Sequence, residues 1–387
     1  MQTGRRVPLT IERGDGLRVQ DDAGNTYLDF VGGWAVDTLG HCHPVIVQAL
    51  EQQGRRLIQT SNQYYTIPQL ELAQLLVDNS CMSRVYVCNS GAEANEGAIK
   101  LARKYGRLNR EGAYEVITAL NSFHGRTLAM VSATGQPAHQ DIYQPIPEGF
   151  VNVPFNDVEA VKAVTTKKTC AVMLEAIQGE AGVIAPKDGY LKDIRNWCDE
   201  NGLLLILDEV QTGIGRLGTL FAYQQYDIEP DIMTLAKGLG GGVPIGAFMA
   251  TQKAAVFSPG DHGSTYGGNP LTCAVATAVV SEVLNGHLLE NTRRAGQRLT
   301  AGLEKLRRLY PFVTEVRGRG LLQAIEFSEP IAPSVLTACL ENRLLVNAPR
   351  PTSIRFMPPL VVTDAEIDEA LEKLSAALHQ ITETKNP

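Results

Sequence analysis

The sequence predicts an α/β fold with a large domain, in which helices flank a mostly parallel sheet, and a smaller α+β domain. Two patterns predict this fold. Apolar, β-prone runs alternate with helical patterns through most of the chain, which is typical of a parallel sheet with helical crossovers. From about residue 288 the sequence becomes rich in charged residues with the spacing of amphipathic helices, which indicates a second domain.

The predicted elements follow in chain order. An apolar run at 85–88 leads through a tight turn into a helix. Further strands are predicted at 114–120, 170–176, 203–210 and 232–236, and helices at 190–200 and 270–284. The second domain is predicted to contain a helix at 289–309, a glycine-containing segment at 316–322 and a final helix from Asp364.

One lysine stands at the end of a predicted strand. Lys237 follows the apolar run 232–236 and precedes the glycine-rich segment 238–242. Loss of solvation at such a place lowers the pKa of the amine and favours a nucleophile that forms Schiff bases. The glycines allow a bulky ring to approach the backbone. The alternative is a solvated lysine at a strand end.

Two carboxylates are predicted at the carboxyl end of a neighbouring strand. Asp208 and Glu209 follow the apolar run 203–207, and open α/β sheets bind ligands at that edge. A carboxylate there can keep a pyridine nitrogen protonated. Together with a lysine that forms Schiff bases, it provides what pyridoxal phosphate requires.

Two further turns carry residues suited to the same cofactor. Ser90 starts the helix after 85–88, and free amides in its first turn can bind an anion, unless the turn is an ordinary capped connection. Later, Phe123 or His124 can stack on an aromatic ring, and Arg126 can bind a carboxylate through two hydrogen bonds.

Six motifs, in this order, resemble the class III, fold-type I pyridoxal-phosphate aminotransferases, and within them the acetylornithine aminotransferase group. They occupy residues 90–96, 123–127, 175–180, 208–211, 235–238 and 263–270. The resemblance extends over nearly the whole chain. It implies the fold-type I transferase fold and pyridoxal 5′-phosphate as the cofactor.

The resemblance also implies the roles of individual residues around the cofactor. Lys237 is implied to be the catalytic residue that forms the Schiff base, Asp208 to pair with the ring nitrogen, and Gln211 to contact the ring hydroxyl. The implied cofactor site comprises Ser90, Gly91, Ala92, Phe123, Asp208, Glu209, Val210, Gln211, Lys237 and Thr265.

Within that site, the backbone amides of Gly91 and Ala92 are implied to bind the phosphate, and Phe123 to stack on the ring. The threonine that matches Thr265 reaches the phosphate of a neighbouring subunit in this family. The resemblance therefore implies a homodimer with shared active sites.

Four residues are implied to bind the substrates. Arg126 matches the arginine that holds the α-carboxylate of the amino donor, and Arg355 matches the one that receives 2-oxoglutarate. Glu180 is implied to pair with Arg355 while the donor is bound and to move away for the dicarboxylate, although it can also be read as an ordinary loop carboxylate. Ser264 is expected near the substrate.

The implied reaction is the transfer of a terminal amino group from N-acetylornithine to 2-oxoglutarate, which gives the semialdehyde and glutamate and belongs to arginine biosynthesis. Ornithine, succinylornithine, acyl-lysine or carrier-bound lysine, and 4-aminobutyrate stay open as donors. Trp34 stands where acetylornithine enzymes usually have a smaller aliphatic residue. It either reshapes the pocket wall or packs against a partner subunit.

Two other classes of protein fit parts of this sequence. An aminomutase with the same cofactor has less reason to keep two substrate arginines, Arg126 and Arg355, together with Glu180. A non-enzymatic regulator with the same fold has no reason to keep Lys237 and Asp208. Both classes are therefore less favoured than the aminotransferase.

Composition agrees with such an enzyme. The chain has 387 residues, of which 44% are hydrophobic, and it carries a net charge of -7, which argues against nucleic-acid partners. Seven cysteines without a CxxC pair predict reduced thiols in the cytoplasm. The amino terminus has no apolar signal-like run, so no membrane partner is expected. We expect a large domain at 46–287 and a small domain made of 1–45 and 288–387.

Two motifs point elsewhere. Residues 213–218 form a literal GxGxxG after a strand, with Asp231 downstream, which makes a dinucleotide-binding dehydrogenase the runner-up from that motif alone. The carboxylates of Asp208 and Glu209 argue against it, because a pyrophosphate favours amides and positive charge. His41 and His43 alternate like metal ligands, but no further ligand cluster accompanies them in the sequence, so no metal site is expected.

Overall fold

The computed structural model describes residues 1, 3–4 and 6–385, and three sheets organise this part of the chain. The central sheet has seven strands. Their spatial order is Arg84–Cys88, Gly246–Ala250, Ile232–Leu235, Leu204–Asp208, Thr169–Glu175, Glu115–Ala119 and Phe150–Val153. Gly246–Ala250 runs antiparallel to its two neighbours, and the pairs from Ile232–Leu235 to Phe150–Val153 are parallel. The predicted α/β class with a mostly parallel sheet is confirmed.

The middle of the central sheet is fully enclosed. Every residue of Thr169–Glu175 and of Leu204–Asp208 is buried, which explains their nearly continuous apolar sequences. In the register of these strands, Glu175 lies opposite Asp208, and Asp208 lies opposite Thr234. The carboxyl ends of three adjacent strands therefore meet at one edge of the sheet.

Strand prediction succeeded for the apolar runs and failed for two short strands of the central sheet, Phe150–Val153 and Gly246–Ala250. The predicted strands at 114–120, 170–176, 203–210 and 232–236 are present with boundaries shifted by one or two residues. The sequence did not predict Gly246–Ala250, because a run of five small or apolar residues after a glycine-rich loop has no distinctive period.

Helices cover the sheets and connect the strands. The α-helices are Gly32–Ala35, Pro44–Gly54, Ile67–Asp78, Gly91–Asn109, Leu128–Ala133, Pro137–Gln140, Val158–Val164, Tyr190–Asn201, Pro270–Asn285, Leu288–Leu309, Ala332–Glu341 and Asp364–Lys385. Short 3-10 helices lie at Asp141–Tyr143, Ala222–Gln225 and Lys237–Leu239. The helices predicted at 190–200, 270–284 and 289–309 agree with this list within one residue.

Two smaller sheets lie outside the central one. The amino-terminal sheet contains Ile11–Asp15, Arg18–Asp21 and Thr26–Asp29 and is completed by Leu344–Leu345. The carboxyl-terminal sheet has the order Val313–Arg319, Leu322–Phe327, Ser353–Phe356 and Asn347–Arg350. Leu344–Leu345 pairs parallel with Thr26–Asp29. This pairing supports the grouping of 1–45 with 288–387, which remains a proposal.

The helices were also considered as membrane spans. Within the described ranges, no single helix has both the length and the apolar character that a membrane crossing requires. Pro270–Asn285 and Leu288–Leu309 meet these criteria only when taken together, and they are bent by 67° at the break between them.

Candidate active site

A cavity of about 450 Å³ opens at the carboxyl ends of the central strands. Such an edge is where open α/β sheets bind ligands, because helices and loops leave a crevice there. The cavity brings together many of the residues predicted for the site: Ser90, Gly91, Ala92, Phe123, Arg126, Glu180, Asp208, Val210, Gln211 and Lys237.

The carboxylate of Asp208 is held by three donors. Its Oδ2 accepts hydrogen bonds from Asn95 Nδ2 and lies next to His124 Nδ1, both at 2.8 Å. Its Oδ1 accepts from the backbone N–H of Val210 at 3.0 Å. Asn95 is fixed in turn, since its Nδ2 also donates to the carbonyl of His124 at 2.7 Å. Asp208 is thus oriented from three sides beside the cavity.

Asp208 favours the charged form of His124. Burial alone lowers the pKa of His124, but the hydrogen bond and the charge of Asp208, with a smaller effect of Glu175, outweigh burial and raise it. Sequence reasoning considered His124 only as a stacking residue. The structure instead places it against Asp208.

Glu175 lies beside this pair, on the next strand. Its Oε1 accepts from the backbone N–H of Phe123 at 2.9 Å and its Oε2 from that of Gly179 at 3.3 Å. Burial raises the pKa of Glu175 to about 7, with Asp208 acting in the same direction and His124 and Lys237 against it. This carboxylate belongs to the cavity wall, although the sequence reasoning gave it no role.

The structure does not bring Glu209, predicted to bind the cofactor, to the cavity lining. Its two oxygens accept hydrogen bonds from the backbone N–H groups of Ala222 at 2.5 Å and Tyr223 at 2.8 Å. Neighbouring residues at a strand end point in opposite directions. Asp208 therefore faces the cavity, whereas Glu209 holds the first turn of the 3-10 helix Ala222–Gln225.

Lys237 lies within the cavity, at the start of a 3-10 helix. Its side chain is partly open to the cavity, and its φ of 35° is in the left-handed region. Burial lowers the pKa of Lys237, and Arg355 acts in the same direction, whereas Glu180, Asp208 and Glu175 oppose it. The lowered pKa that was predicted from its position is present.

The helix Gly91–Asn109 begins at the cavity. Ser90 caps it, because its hydroxyl accepts from the backbone N–H of Glu93 at 3.2 Å. The amides of Gly91 and Ala92 precede the first intrahelical donor, that of Ala94. A Cβ on Gly91 would lie 3.0 Å from a methyl carbon of Val210. Glycine at this position therefore lets Val210 pack closely against the start of the helix.

Phe123 and Arg126 form the opposite wall. The guanidinium carbon of Arg126 lies 5.2 Å from the centre of the Phe123 ring, within the range of a cation–π contact. Phe123 is half-buried and Arg126 is exposed. Arg126 is thus positioned at the mouth of the cavity, where it can bind a carboxylate from solvent.

Arg355 is fully buried behind Glu180. Its Nη1 lies 2.8 Å from Glu180 Oε1 and 3.2 Å from Gln211 Oε1. Its Nε and Nη2 both donate to Asn347 Oδ1. Burial raises the pKa of Glu180, but the charge and hydrogen bond of Arg355 outweigh it and lower the pKa. Arg355 does not itself line the cavity, because Glu180 and Gln211 stand between.

Ser264 and Thr265 lie outside this cavity. The hydroxyl of Ser264 accepts from the N–H of Gly267 at 2.9 Å and from Asn89 Nδ2 at 3.1 Å, so it shapes its own turn. Thr265 is exposed, and its carbonyl accepts from Gln59 Nε2 at 2.5 Å. Thr265 therefore does not contribute to the cavity of its own chain.

Trp34 lies in a strained segment near the cavity. Gly32, Gly33, Trp34 and Ala35 all have positive φ values, between 52° and 64°, which is uncommon for residues other than glycine. The Trp34 side chain is 52% exposed and is not part of the cavity lining, whereas Val36 is. Both interpretations of Trp34 therefore stay open.

The two competing motifs have structural roles in this fold. Residues 213–218 form turns rather than the start of a helix, and Arg216 within them is buried and donates to the carbonyls of Leu321, at 3.2 Å, and Pro358. Asp231 accepts from Arg195 and from the N–H of Leu205, both at 2.8 Å. A dinucleotide site would need a helix start and a free carboxylate at these places.

His41 and His43 are not paired with each other. His41 Nε2 lies 2.9 Å from Asp29 Oδ2, and its Nδ1 lies 3.9 Å from Asp37 Oδ2. Asp29, Asp37 and His41 thus form a group with metal-type ligand atoms that the sequence did not reveal. The hydrogen bond to Asp29 raises the pKa of His41.

The chain was compared with known proteins. A family model described as "Aminotransferase class-III" matches residues 1–378. The chain belongs to the class III aminotransferases. Accordingly, it is an enzyme that depends on pyridoxal 5′-phosphate.

Curated relatives of this aminotransferase share half of its residues. An acetylornithine aminotransferase of Caldanaerobacter subterraneus subsp. tengcongensis is 50% identical over 382 residues, which cover 98% of this chain and 97% of the relative. One of Gloeobacter violaceus is 50% identical over 386 residues, which cover 99% and 96%.

Solved structures share the fold. An N-acetylornithine aminotransferase from Stenotrophomonas maltophilia K279a is 39% identical with a TM-score of 0.86, and the match covers 97% of each chain. An ornithine aminotransferase from Toxoplasma gondii ME49 is 36% identical with a TM-score of 0.94, over 99% of this chain and 93% of that one.

The residues present fit pyridoxal phosphate. Three donors orient the Asp208 carboxylate, which suits a protonated pyridine nitrogen, and Lys237 has the lowered pKa that a Schiff-base nucleophile needs. The buried Nε2 of His124 has no hydrogen-bond partner among the described residues. The backbone amides of Gly91 and Ala92 lie in the first turn of a helix that begins at the cavity, which suits an anionic phosphate.

Besides Glu175, two further residues of this site escaped sequence reasoning, for different reasons. Asn95 lies within the quoted motif 90–96, so its place four residues after Gly91 on the same helix face was a usable signal. Asn347 has no motif. Only the pairing of Asn347–Arg350 with Ser353–Phe356 brings it to Arg355.

Proposed function

We propose that this enzyme transfers the terminal amino group of N-acetylornithine to 2-oxoglutarate and gives the semialdehyde and glutamate. The contact of 2.8 Å between Glu180 and the buried Arg355 carries the proposal, because a masked guanidinium suits alternating substrates that differ by one carboxylate. The choice of donor draws support from relatives that are named acetylornithine aminotransferase and are 49% to 50% identical.

Proton transfer is assigned to Lys237. The bound cofactor supplies an electron sink for the substrate carbon that loses its proton. Because burial lowers the pKa of Lys237, its Nζ gives up its own proton more readily and can then accept the proton from the substrate carbon and return it at the next step. Asp208, fixed by Asn95, His124 and the Val210 amide, presents its carboxylate where a pyridinium nitrogen requires an acceptor.

Substrate selection is assigned to two arginines and one carboxylate. Arg126 at the mouth binds the α-carboxylate of the donor, which places the distal amino group toward Lys237. Glu180 neutralises Arg355 during this half-reaction. When 2-oxoglutarate binds, Glu180 moves away from Arg355, and Arg355 binds the second carboxylate. Specificity therefore arises both from the attraction between Arg355 and the dicarboxylate and from the charge of Glu180, which masks Arg355 while the donor is bound.

We also propose a homodimer with shared sites. Thr265 is exposed and does not line the cavity of its own chain. Asn62 Nδ2 fixes the loop that carries Thr265 by donating to the carbonyls of Ser264 and Gly267, both at 2.9 Å. Exposed apolar side chains lie on the adjoining segment, with Tyr64 at 66%, Tyr65 at 88% and Ile67 at 66% exposure. An isologous dimer that buries this face would offer Thr265 to the partner.

Mixing two inactive variants tests the shared site. If Thr265 acts in the partner's site, a subunit with Lys237→Ala and a subunit with Thr265→Ala form one intact site per mixed dimer. Random mixing would restore roughly a quarter of the wild-type activity. Activity no higher than the sum of the two separate variants would contradict a site shared between subunits.

A single-turnover titration tests the donor. The purified enzyme is mixed with N-acetylornithine, ornithine, N-acetyl-lysine or 4-aminobutyrate, and the change of cofactor absorbance is followed without 2-oxoglutarate. Fast conversion by N-acetylornithine above the others supports the proposal, and fastest conversion by another amine refutes it. An aminomutase would complete its reaction without 2-oxoglutarate, which separates that class.

A further inference from the structure

Glu175 links two loops that carry different parts of the site. One carboxylate oxygen accepts from the N–H of Phe123, on the loop that forms the aromatic wall, at 2.9 Å. The other accepts from the N–H of Gly179, next to Glu180, at 3.3 Å. Glu175 is 6% exposed and ends the strand Thr169–Glu175, so a rigid element supports it.

The loop that carries Glu180 is held by hydrogen bonds at its base and on its far side, and within it the N–H groups of Gly182 and Val183 both donate to the carbonyl of Gly179 at 3.2 Å. Gln178 and Ile184 close its base by exchanging two backbone hydrogen bonds of 3.0 Å. On its far side, Arg317 Nε donates to the carbonyl of Gly182 at 2.7 Å. Between these anchors, the bond from Gly179 to Glu175 fixes the residue directly before Glu180. This bond is therefore the anchor closest to the carboxylate that masks Arg355.

The same loop is also packed tightly against the site. A Cβ on Gly179 would lie 1.6 Å from Gln211 Oε1, and Gln211 Oε1 in turn accepts from Arg355. A small displacement of Gly179 therefore changes the contacts of both Gln211 and Glu180. Packed elements transmit such shifts because they have little free space.

We propose that Glu175 is a positioning residue that holds the Phe123 loop and the Glu180 loop in a fixed relation, one oxygen for each, and so controls how readily Glu180 leaves Arg355. The inference rests on the proposed function, since it concerns the same masking pair. A purely structural carboxylate would stabilise the fold without changing the choice between donor and 2-oxoglutarate.

The chain contains a matched comparison. Glu209 is also buried at a strand end, also accepts from two backbone N–H groups, and also has a pKa raised to about 7 by burial. Its partners, Ala222 and Tyr223, lie outside the cavity lining. Glu209→Gln therefore reproduces the loss of one buried acceptor at a place that has no contact with the masking pair.

Glu175→Gln tests the geometry by hydrogen exchange of the full chain with cofactor bound. Glutamine has one acceptor oxygen, which we expect to stay with Phe123, the shorter bond, while the amide group faces the N–H of Gly179. Exchange at Gly179 should become about tenfold faster or more, while Phe123 keeps its protection. Glu209→Gln should accelerate exchange at Ala222 or Tyr223 instead. Unchanged exchange at Gly179 in Glu175→Gln would overturn the proposal.

Substrate kinetics supply the second readout. With Arg355 unmasked more readily, 2-oxoglutarate should compete with the donor. The ratio of the donor KM to the 2-oxoglutarate KM should then rise at least about fivefold in Glu175→Gln, with a smaller change of kcat. In Glu209→Gln the ratio should stay at the wild-type value. Equal ratios in both variants would refute the control of Glu180 by Glu175.

The pH dependence separates Glu175 from its charged neighbours. His124, Asp208 and Lys237 face Glu175, and all three are intact in both variants. Protonation of Glu175 removes an acceptor as glutamine does. The wild-type ratio of the donor KM to the 2-oxoglutarate KM should therefore fall as pH rises through about 7, and Glu175→Gln should not show this change.

Failure of the wild type to use N-acetylornithine would refute the proposed donor alone, because the hydrogen-exchange test of Glu175 does not depend on the substrate.

Discussion

The imidazole of His124 and the carboxylate of Asp208 form a pair at 2.8 Å, with side-chain exposures of 0% and 3%. Asp208 raises the pKa of His124 and so favours the charged form of the imidazole in a place from which water is excluded. Buried charges of this kind are stable only when they are paired and hydrogen-bonded. The pair therefore fixes the position of the Asp208 carboxylate at the carboxyl end of strand Leu204–Asp208, where the cofactor ring is proposed to bind.

Replacing Asp208 with asparagine should slow the donor half-reaction by about 100-fold or more, since a preorganised charge at the reacting group is lost. Without the carboxylate, burial dominates and the pKa of His124 should fall below its ordinary value, which NMR titration of the imidazole would detect. Asp231→Asn is the control, because Asp231 is a buried carboxylate that pairs with Arg195 outside the cavity. A normal half-reaction in Asp208→Asn would refute the role of Asp208.

Replacing Lys237 with alanine should abolish the absorbance of the covalently bound cofactor and reduce turnover by about 100-fold to 10,000-fold, the range for loss of a general acid–base group. The matched variant is Lys192→Ala, because the Lys192 side chain is 61% exposed and lies 3.8 Å from Asp227 at the surface. That variant should keep the wild-type spectrum. Retention of the absorbance in Lys237→Ala would contradict the Schiff-base assignment.

Replacing Arg355 with alanine should chiefly impair 2-oxoglutarate, because the dicarboxylate alone needs the unmasked guanidinium. Loss of one charged hydrogen-bonded contact should raise its KM roughly 30-fold, as expected for about 2 kcal/mol. Arg126→Ala should weaken the use of both donor and 2-oxoglutarate. Steady-state kinetics with each substrate varied would check this. Equal losses for donor and acceptor in Arg355→Ala would argue against masking by Glu180.

The pH dependence of stability should carry a signature of Glu209. Burial raises its pKa from 4.5 to about 7 in the folded state. Between pH 4.5 and about pH 7, Glu209 holds a proton in the folded chain that it releases in the unfolded chain. The stability that Glu209 contributes is therefore complete below pH 4.5 and is lost as pH rises through about 7. It amounts to at most about 3 kcal/mol. Urea unfolding of the cofactor-free chain at about pH 5 and about pH 8 should show a smaller difference in Glu209→Gln than in wild type. An unchanged difference would contradict the raised pKa.

A methyl group at Gly179 should disturb the masking pair directly. Its Cβ would lie 1.6 Å from Gln211 Oε1, so that Gln211 must move away from Arg355. We expect Gly179→Ala to weaken 2-oxoglutarate use about tenfold or more. Gly54→Ala is the matched control, since nothing lies within 4 Å of its Cβ position at the end of a helix. The same kinetics for the two variants would show that the loop accommodates the methyl group.

Much of the fold was predictable because its strands are apolar throughout. The runs that became Thr169–Glu175 and Leu204–Asp208 are continuous, as full enclosure requires, and their ends placed Asp208 and Lys237 at one edge of the sheet. The short strand Gly246–Ala250 was missed, since its existence depends on pairing with Arg84–Cys88 and Ile232–Leu235 rather than on a local pattern.

The candidate site was predictable where chemistry is encoded in local motifs. The motifs marked Lys237, Asp208 and the turn at Gly91 without knowledge of any contact. They could not separate Asp208 from Glu209, because the orientation of adjacent side chains depends on how the strand lies in its sheet. They also could not assign Glu175, whose partners lie on two distant loops.

The sequence by itself determined the family, the cofactor and the residue types available for the reaction, because these depend on motifs that stay together along the chain. Tertiary structure alone decided which carboxylate faces the cavity, that His124 and Asn95 hold Asp208, and that Glu180 covers Arg355. Those relations join residues far apart in the chain, and their distances and pKa values arise only when burial and packing bring the charges together.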